Sequence, residues 1–219
     1  MLIIFDLDDT LIDTSGFVTP FKLRSCVDRL VSEGLRVPDL ERAYSELLFL
    51  NQSLNRSQDA ISQFISNMGG EARLVPVALE EMFSSLPQNF TIPTTPFAKE
   101  ILNLFRERYS LALVTGGRSY FQLEKLEKAG IDRSIFSKIA IAEDSVKKPF
   151  YEALLKEFSL MPHQVFVCGD RIAMDLLPAF ELGIKTVHMR WGRGKQMVSE
   201  KWIDHSISDL SQLRRIIET

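Results

Sequence analysis

A doubly wound α/β fold with a parallel, Rossmann-like sheet and one inserted block of helices is what three features of this 219-residue sequence predict. The first is the apolar run Leu2-Ile3-Ile4-Phe5, which has the composition of a strand buried on both faces. The second is a regular alternation of strand and helix patterns from Phe97 onward, which calls for parallel crossovers. The third is the stretch between them, where helical periods recur without a clear strand.

In chain order, the opening stretch MLIIFDLDDT brings Asp6 and Asp8 to the end of the first strand, with Asp9 beside them. Two carboxylates about 4 Å apart repel by about 4 kcal/mol at an effective dielectric near 20, so a cation or a shared proton is expected there. Asp13, Ser15, Gly16 and Pro20 then supply turn chemistry. Phe21, Val27, Leu30 and Val31 recur at helical spacing up to Gly34, and Leu40, Tyr44, Leu47 and Leu48 repeat the pattern after Pro38. Two further helices, about Ser57–Met68 and Leu74–Ser84, are stopped by Gly69-Gly70 and Pro87. Pro87–Pro96, with Pro93 and Thr91, Thr94 and Thr95, reads as a linker, so the insert is expected over 16–95 and the core over 1–15 and 96–219.

Beyond the linker the pattern predicts helix Phe97–Arg108, strand Ser110–Val114, helix Tyr120–Ala129 and strand Lys138–Ala142. Helix Phe150–Phe158, strand Gln164–Cys168, helix Ile172–Leu182, strand Lys185–Met189 and a closing helix Leu210–Ile217 complete it. Composition fits: 45% hydrophobic and 25% charged residues suffice for a buried core and a modest second unit. A net charge of -3 argues against nucleic acid or a membrane surface as a partner held by bulk electrostatics. The two cysteines, Cys26 and Cys168, lie in apolar contexts and form no disulfide framework, and no apolar run approaches 18 residues, so a cytoplasmic protein is expected. The oligomeric state is not legible.

Ligands of such sheets bind outside the carboxyl ends of the strands. The residues at those ends are Asp6 and Asp8, Thr115-Gly116-Gly117, Glu143-Asp144 with Lys147-Lys148-Pro149 beyond, and Gly169-Asp170 with Asp175 five positions later. Carboxylates at Asp6 and Asp170 suit a hard divalent ion such as magnesium. Thr115 offers a hydroxyl, Gly116 and Gly117 admit close approach of an anion, and a lysine supplies a point charge for phosphate. Either lysine is available; the position before Pro149 favours Lys148.

These stretches, IIFDLDDT, LALVTGG, KKP and VFVCGDRIAMD, stand in the order of the four motifs of the haloacid dehalogenase superfamily, which the sequence resembles over residues 2 to 175. The helical insert resembles that family's first type of cap domain, which selects substrate. The resemblance implies a magnesium-dependent phosphatase of a small phosphorylated metabolite. Asp6 would be the nucleophile that becomes an aspartyl-phosphate, and Asp8 the general acid and base. It implies that Asp6, the backbone carbonyl of Asp8, and Asp170 hold magnesium, that Asp175 orients the site, and that Thr115, Gly116 and Lys148 bind the phosphoryl group. An aspartate at position 8 separates this chain from the dehalogenases, the ion pumps and the phosphonate hydrolases of the superfamily. A phosphomutase or phosphotransferase of the same fold, or a non-catalytic binding member, are the alternatives. Two departures stand out: Asp9 where many relatives have glycine, and Arg171 where a small residue is common.

Taken alone, Thr115 reads as a helix cap, Asp144 and Asp209 as turn or cap residues, and His163, His188 and His205 lack metal-ligand spacing. The loop Arg190–Lys195 follows the last core strand at the edge of the catalytic residues, which offers its three cations and Trp191 to a substrate or partner. Charged glycine-containing loops are ordinary, however, and it reads first as a solvated surface loop.

Overall fold

The computed structural model describes residues 1–54 and 56–218. They form two compact units, Met1–Ser15 with Pro87–Thr219, and Gly16–Leu86.

The larger unit is built on a parallel sheet of β1 (Leu2–Phe5), β2 (Ser110–Gly116), β3 (Lys138–Ala142), β4 (Val165–Gly169), β5 (Lys185–Met189) and β6 (His205–Ile207). Their order is β3-β2-β1-β4-β5-β6, so the winding reverses between β1 and β4. In a doubly wound sheet that reversal opens a crevice at the carboxyl ends of the two strands. The register puts Phe5 of β1 opposite Leu113 of β2 and Cys168 of β4. Asp6, one residue past Phe5, and Thr115 and Asp170, each two residues past its partners, therefore lie at the same carboxyl-terminal edge of the sheet.

The strands are apolar because both faces are covered. Leu2, Ile4, Ala112, Val114, Val165 and Val167 form a buried layer with Tyr151, Leu154, Leu176, Ala179 and Ile184. The smaller unit contains α1 (Thr19–Ser32), α2 (Leu40–Ser53), α3 (Ser57–Asn67) and α4 (Leu74–Met82). Its own core joins Leu23, Val27 and Leu30 of α1 to Leu47, Phe64, Ile65 and Ala78. Asp39 starts α2 by accepting a hydrogen bond from the Arg42 N–H at 2.8 Å. The sheet unit carries α5 (Ala98–Arg106), α6 (Ser119–Lys128), α7 (Lys148–Glu157), α8 (Leu177–Phe180) and α9 (Leu213–Ile217). Among the described residues, no helix is long and apolar enough to cross a membrane.

Three local expectations change. Residues 87–95, expected with the helical insert, join the sheet unit. Backbone bonds tie them there: Asp13 N to Pro93 O at 2.9 Å, Ile92 N to Lys128 O at 3.1 Å and Thr95 N to Leu11 O at 3.0 Å. The expected helix Ile172–Leu182 splits into a wide turn, Ile172–Leu176, and α8, because Pro178 has no N–H to give the preceding turn. Strand β6 carries no sequence signal, since three residues at a sheet edge are too few to show a period.

Candidate active site

Asp6 is the first residue beyond β1, and its N–H still bonds Cys168 O at 2.9 Å. The chain then curls tightly, with the N–H groups of Thr10, Leu11 and Ile12 all directed at Leu7 O. Asp9 takes up this curl at φ 56°, the left-handed region that glycine enters without strain. The departure from glycine at this position therefore has a structural meaning. Asp9 accepts strain and in return its carboxylate accepts bonds from Ser15 N at 2.8 Å and Ser15 Oγ at 2.5 Å.

On one side of the curl lies a buried acidic centre. The carboxylates of Asp6, Asp170 and Asp175 approach within 4.8 Å of one another. Lys147 Nζ stands 2.5 Å from Asp6 Oδ1 and 2.5 Å from Asp175 Oδ1. Asp175 is fixed further by the Arg171 N–H, 2.9 Å from its Oδ2. Behind Asp170, the ring Nε2 of His188 lies 3.1 Å from its backbone carbonyl oxygen. Burial pushes the Asp6 carboxyl up to about 7, with Lys147 pulling the other way and Asp175 and Asp8 adding to the rise. Burial, Asp175 and Asp6 hold Asp170 well above the carboxylate range. Burial works against the charge of Lys147, but Asp175 and Asp6 outweigh it and raise the ammonium well above its ordinary value. Three clustered carboxylates, two of them paired with this one ammonium, form an oxygen donor set with surplus negative charge, which fits a hard divalent cation.

On the other side stands Asp8. Its Oδ1 accepts from Thr14 Oγ1, and Lys125 Nζ of α6 reaches both oxygens, at 2.5 and 2.6 Å. Gln122 Nε2, one turn earlier on α6, donates to Asp8 Oδ2 at 3.0 Å and also to Thr115 Oγ1. Burial opposes ionisation, yet the charge of Lys125 and the bonds from Lys125, Thr14 and Gln122 hold the Asp8 carboxyl below its ordinary value. That carboxylate turns to α6 and stands outside the cluster of Asp6, Asp170 and Asp175. Thr115 is fully buried at the end of β2. Gly116 follows it opposite Ala142, and the N–H of Gly117, at φ 127°, is taken by Ala142 O at 3.0 Å.

The lysine at the acidic centre is Lys147, which corrects the preference for Lys148. Helix α7 begins at Lys148, and successive helical side chains diverge by about 100°, so two adjacent lysines cannot both face inward. Lys148 points outward to Glu181 Oε2 at 2.6 Å, with 40% of its side chain exposed. The loop after β5 also departs from expectation. A Cβ on Gly192, at φ 47°, would run into the Asp9 carboxylate, and one on Gly194 would meet Asp170 O at 2.5 Å. This loop is seated on the site's acids and not simply solvated. Asp144 and Asp209 are turn residues as expected, accepting from Val146 N and Ser211 N.

The family model described as haloacid dehalogenase-like hydrolase matches residues 3–189. The chain belongs to that family. Its relatives include the glyceraldehyde 3-phosphate phosphatase of Pyrococcus furiosus, 28% identical over a 225-residue alignment that covers 99% of this chain and 92% of that one. The enzyme of the same name from Methanocaldococcus jannaschii is 27% identical over 224 residues, covering 99% and 96%. Among solved structures, YfnB of Bacillus subtilis, described as a HAD-hydrolase bound to magnesium, shares the fold with a TM-score of 0.73 at 17% identity, over 100% of this chain and 98% of that one.

For this haloacid dehalogenase-like hydrolase, the structure brings Asp6, Asp170 and Asp175 together and joins Asp8 to Thr115 through Gln122. Sequence reasoning missed Gln122 and Lys125. In SYFQLEKLEK they look like the polar face of an amphipathic helix, although both are buried.

Proposed function

We propose that this hydrolase is a magnesium-dependent phosphatase that cleaves a small phosphorylated metabolite through an aspartyl-phosphate at Asp6. The observation that carries this reading is a carboxylate paired with a lysine at 2.5 Å inside an otherwise acidic, buried centre. An Asp6 oxygen would attack phosphorus as the bond to the leaving alcohol breaks, and Asp8 would give that alcohol its proton. Water would then attack the phosphorus of the aspartyl-phosphate, with Asp8 taking the water's proton and Asp6 restored as phosphate departs. Thr115, Gly116 and Lys147 would hold the phosphoryl oxygens, with Lys147 in the role first given to Lys148. Asp6, Asp170 and the backbone carbonyl of Asp8 would hold magnesium, with Asp175 orienting the set. When bound, the ion supplies positive charge that keeps the carboxylates ionised and offsets charge on the phosphoryl group. Support for that ion comes from the donor set and from the magnesium described with YfnB.

Both full-length relatives are named for glyceraldehyde 3-phosphate, so this three-carbon phosphate is the proposed first substrate. The resemblance gives the choice of substrate to the helical unit. Two buried, free cysteines fit the reducing cytoplasm.

The test is phosphate release from glyceraldehyde 3-phosphate and a panel of sugar and nucleotide phosphates, with magnesium or with a chelator. Release that stops on chelation, returns with magnesium, and falls by about 10⁴-fold or more in Asp6→Asn is expected. Equal release from the wild type and Asp6→Asn would overturn the reading, and an isomeric phosphate in place of free phosphate would make the enzyme a phosphomutase.

A further inference from the structure

The Asp8 carboxylate is held from more than one direction. Lys125 and Gln122 lie three residues apart on α6, so their side chains share one face of the helix. Lys125 engages both carboxylate oxygens, Gln122 takes Oδ2, and Thr14 takes Oδ1 from the opposite stretch of chain. Three donor groups thus fix the Asp8 carboxylate, and in turnover one of these contacts must yield an oxygen to the proton that Asp8 gives and takes. The Lys125 side chain is only 4% exposed, whereas that of Asp8 is 31% exposed. The lysine therefore approaches from the protein interior, and the open side of Asp8 is left toward solvent.

Such a pair is weak evidence for a stabilising role, because a buried ammonium loses hydration that its partner only partly restores. What the pair does provide is a fixed pose. Gln122 adds a second effect. Its amide donates to Thr115 Oγ1 as well as to Asp8, so the threonine hydroxyl acts as acceptor toward Gln122 and keeps its own proton to donate elsewhere.

We propose that Gln122 and Lys125 are positioning residues, which hold the Asp8 carboxylate in its acid–base pose and set the Thr115 hydroxyl as a donor to the phosphoryl group. This rests on the phosphatase reading above. Neither residue touches phosphorus or the leaving oxygen; each acts through Asp8 or Thr115. Displacing a reacting group by about 1 Å can lower a rate by about 10²-fold, so their removal should be felt in the chemical steps that use Asp8.

The experiment compares wild type, Lys125→Met, Lys125→Arg and Gln122→Leu, each with magnesium, on two substrates. One is an alkyl phosphate, whose leaving oxygen needs a proton; the other is p-nitrophenyl phosphate, whose leaving group departs as a stable anion. Lys125→Met is expected to lose about 10- to 100-fold in kcat on the alkyl phosphate. On p-nitrophenyl phosphate it should release the first equivalent of p-nitrophenol within about threefold of the wild-type rate and then slow, giving a burst as aspartyl-phosphate accumulates. Lys125→Arg, which retains a cation for both oxygens, should recover most of the loss. Gln122→Leu should raise KM for both substrates by about tenfold through the Thr115 contact. Equal losses on the two substrates with no burst, in a Lys125→Met protein that melts as the wild type does, would overturn the proposal, as would full activity in that variant. Absence of any magnesium-dependent phosphate release from wild type would instead remove the phosphatase reading on which the proposal rests.

Discussion

Asp6 and Asp8 leave the same strand two residues apart and enter opposite surroundings. Around Asp6 are two further buried carboxylates and a single lysine, and its carboxyl is pushed up; around Asp8 are a lysine, an amide and a hydroxyl, and its carboxyl is held down. Both directions run against the roles proposed for the two acids, since a nucleophile must be ionised and a general acid must hold a proton. Here the directions carry a further lesson. The protein alone disfavours charge on Asp6, so the proposed nucleophile would need the added cation of the proposed reading to stay ionised. The Asp8 region is already supplied with donors and needs none.

Replacing each of the adjacent lysines separates the acidic region from the surface most sharply. Lys147→Met should lower phosphate release by about 10²- to 10³-fold, the scale of losing one donor to the transferring group. Lys148→Met should stay within about twofold in rate and about 0.5 kcal/mol in stability, because its ion pair with Glu181 is exposed. Steady-state kinetics and denaturant melts of the two variants check this, and comparable losses would place the site lysine wrongly.

The smaller effect lies in the curl that joins the two regions. Asp9→Ala keeps a side chain at φ 56° and loses the bonds to Ser15, whereas Asp9→Gly loses the same bonds and relieves the backbone. Asp9→Gly should therefore be more stable than Asp9→Ala by about 1 kcal/mol in thermal melting. Identical melting temperatures would remove strain from the description of Asp9.

Much of this was legible before the fold was known, because parallel strands buried on both faces announce themselves as apolar runs and deliver their next residues to one edge. Asp6, Thr115 and Asp170 come together for that reason alone. What stayed hidden depends on rotation about helices and on backbone sign. Lys147 and Lys148 differ only by one step of helical rotation, which adjacent identical residues cannot reveal. Gln122 and Lys125 carry an ordinary helical polar pattern, and only the position of α6 against the end of β1 buries them. The seating of the loop at Gly192 and Gly194 against Asp9 and Asp170 is a tertiary contact with no local period to betray it.

The contrast between the two acids rests above all on Asp6 being the group that bonds to phosphorus. Acid quench during turnover of a phosphorylated substrate with magnesium, followed by peptide mass spectrometry, tests it directly. One added phosphoryl group on the peptide containing Asp6, present in the wild type, enriched in Lys125→Met and absent from Asp6→Asn, is the predicted result. Phosphate release at the wild-type rate with no phosphorylated Asp6 peptide, or the label on another residue, would contradict it.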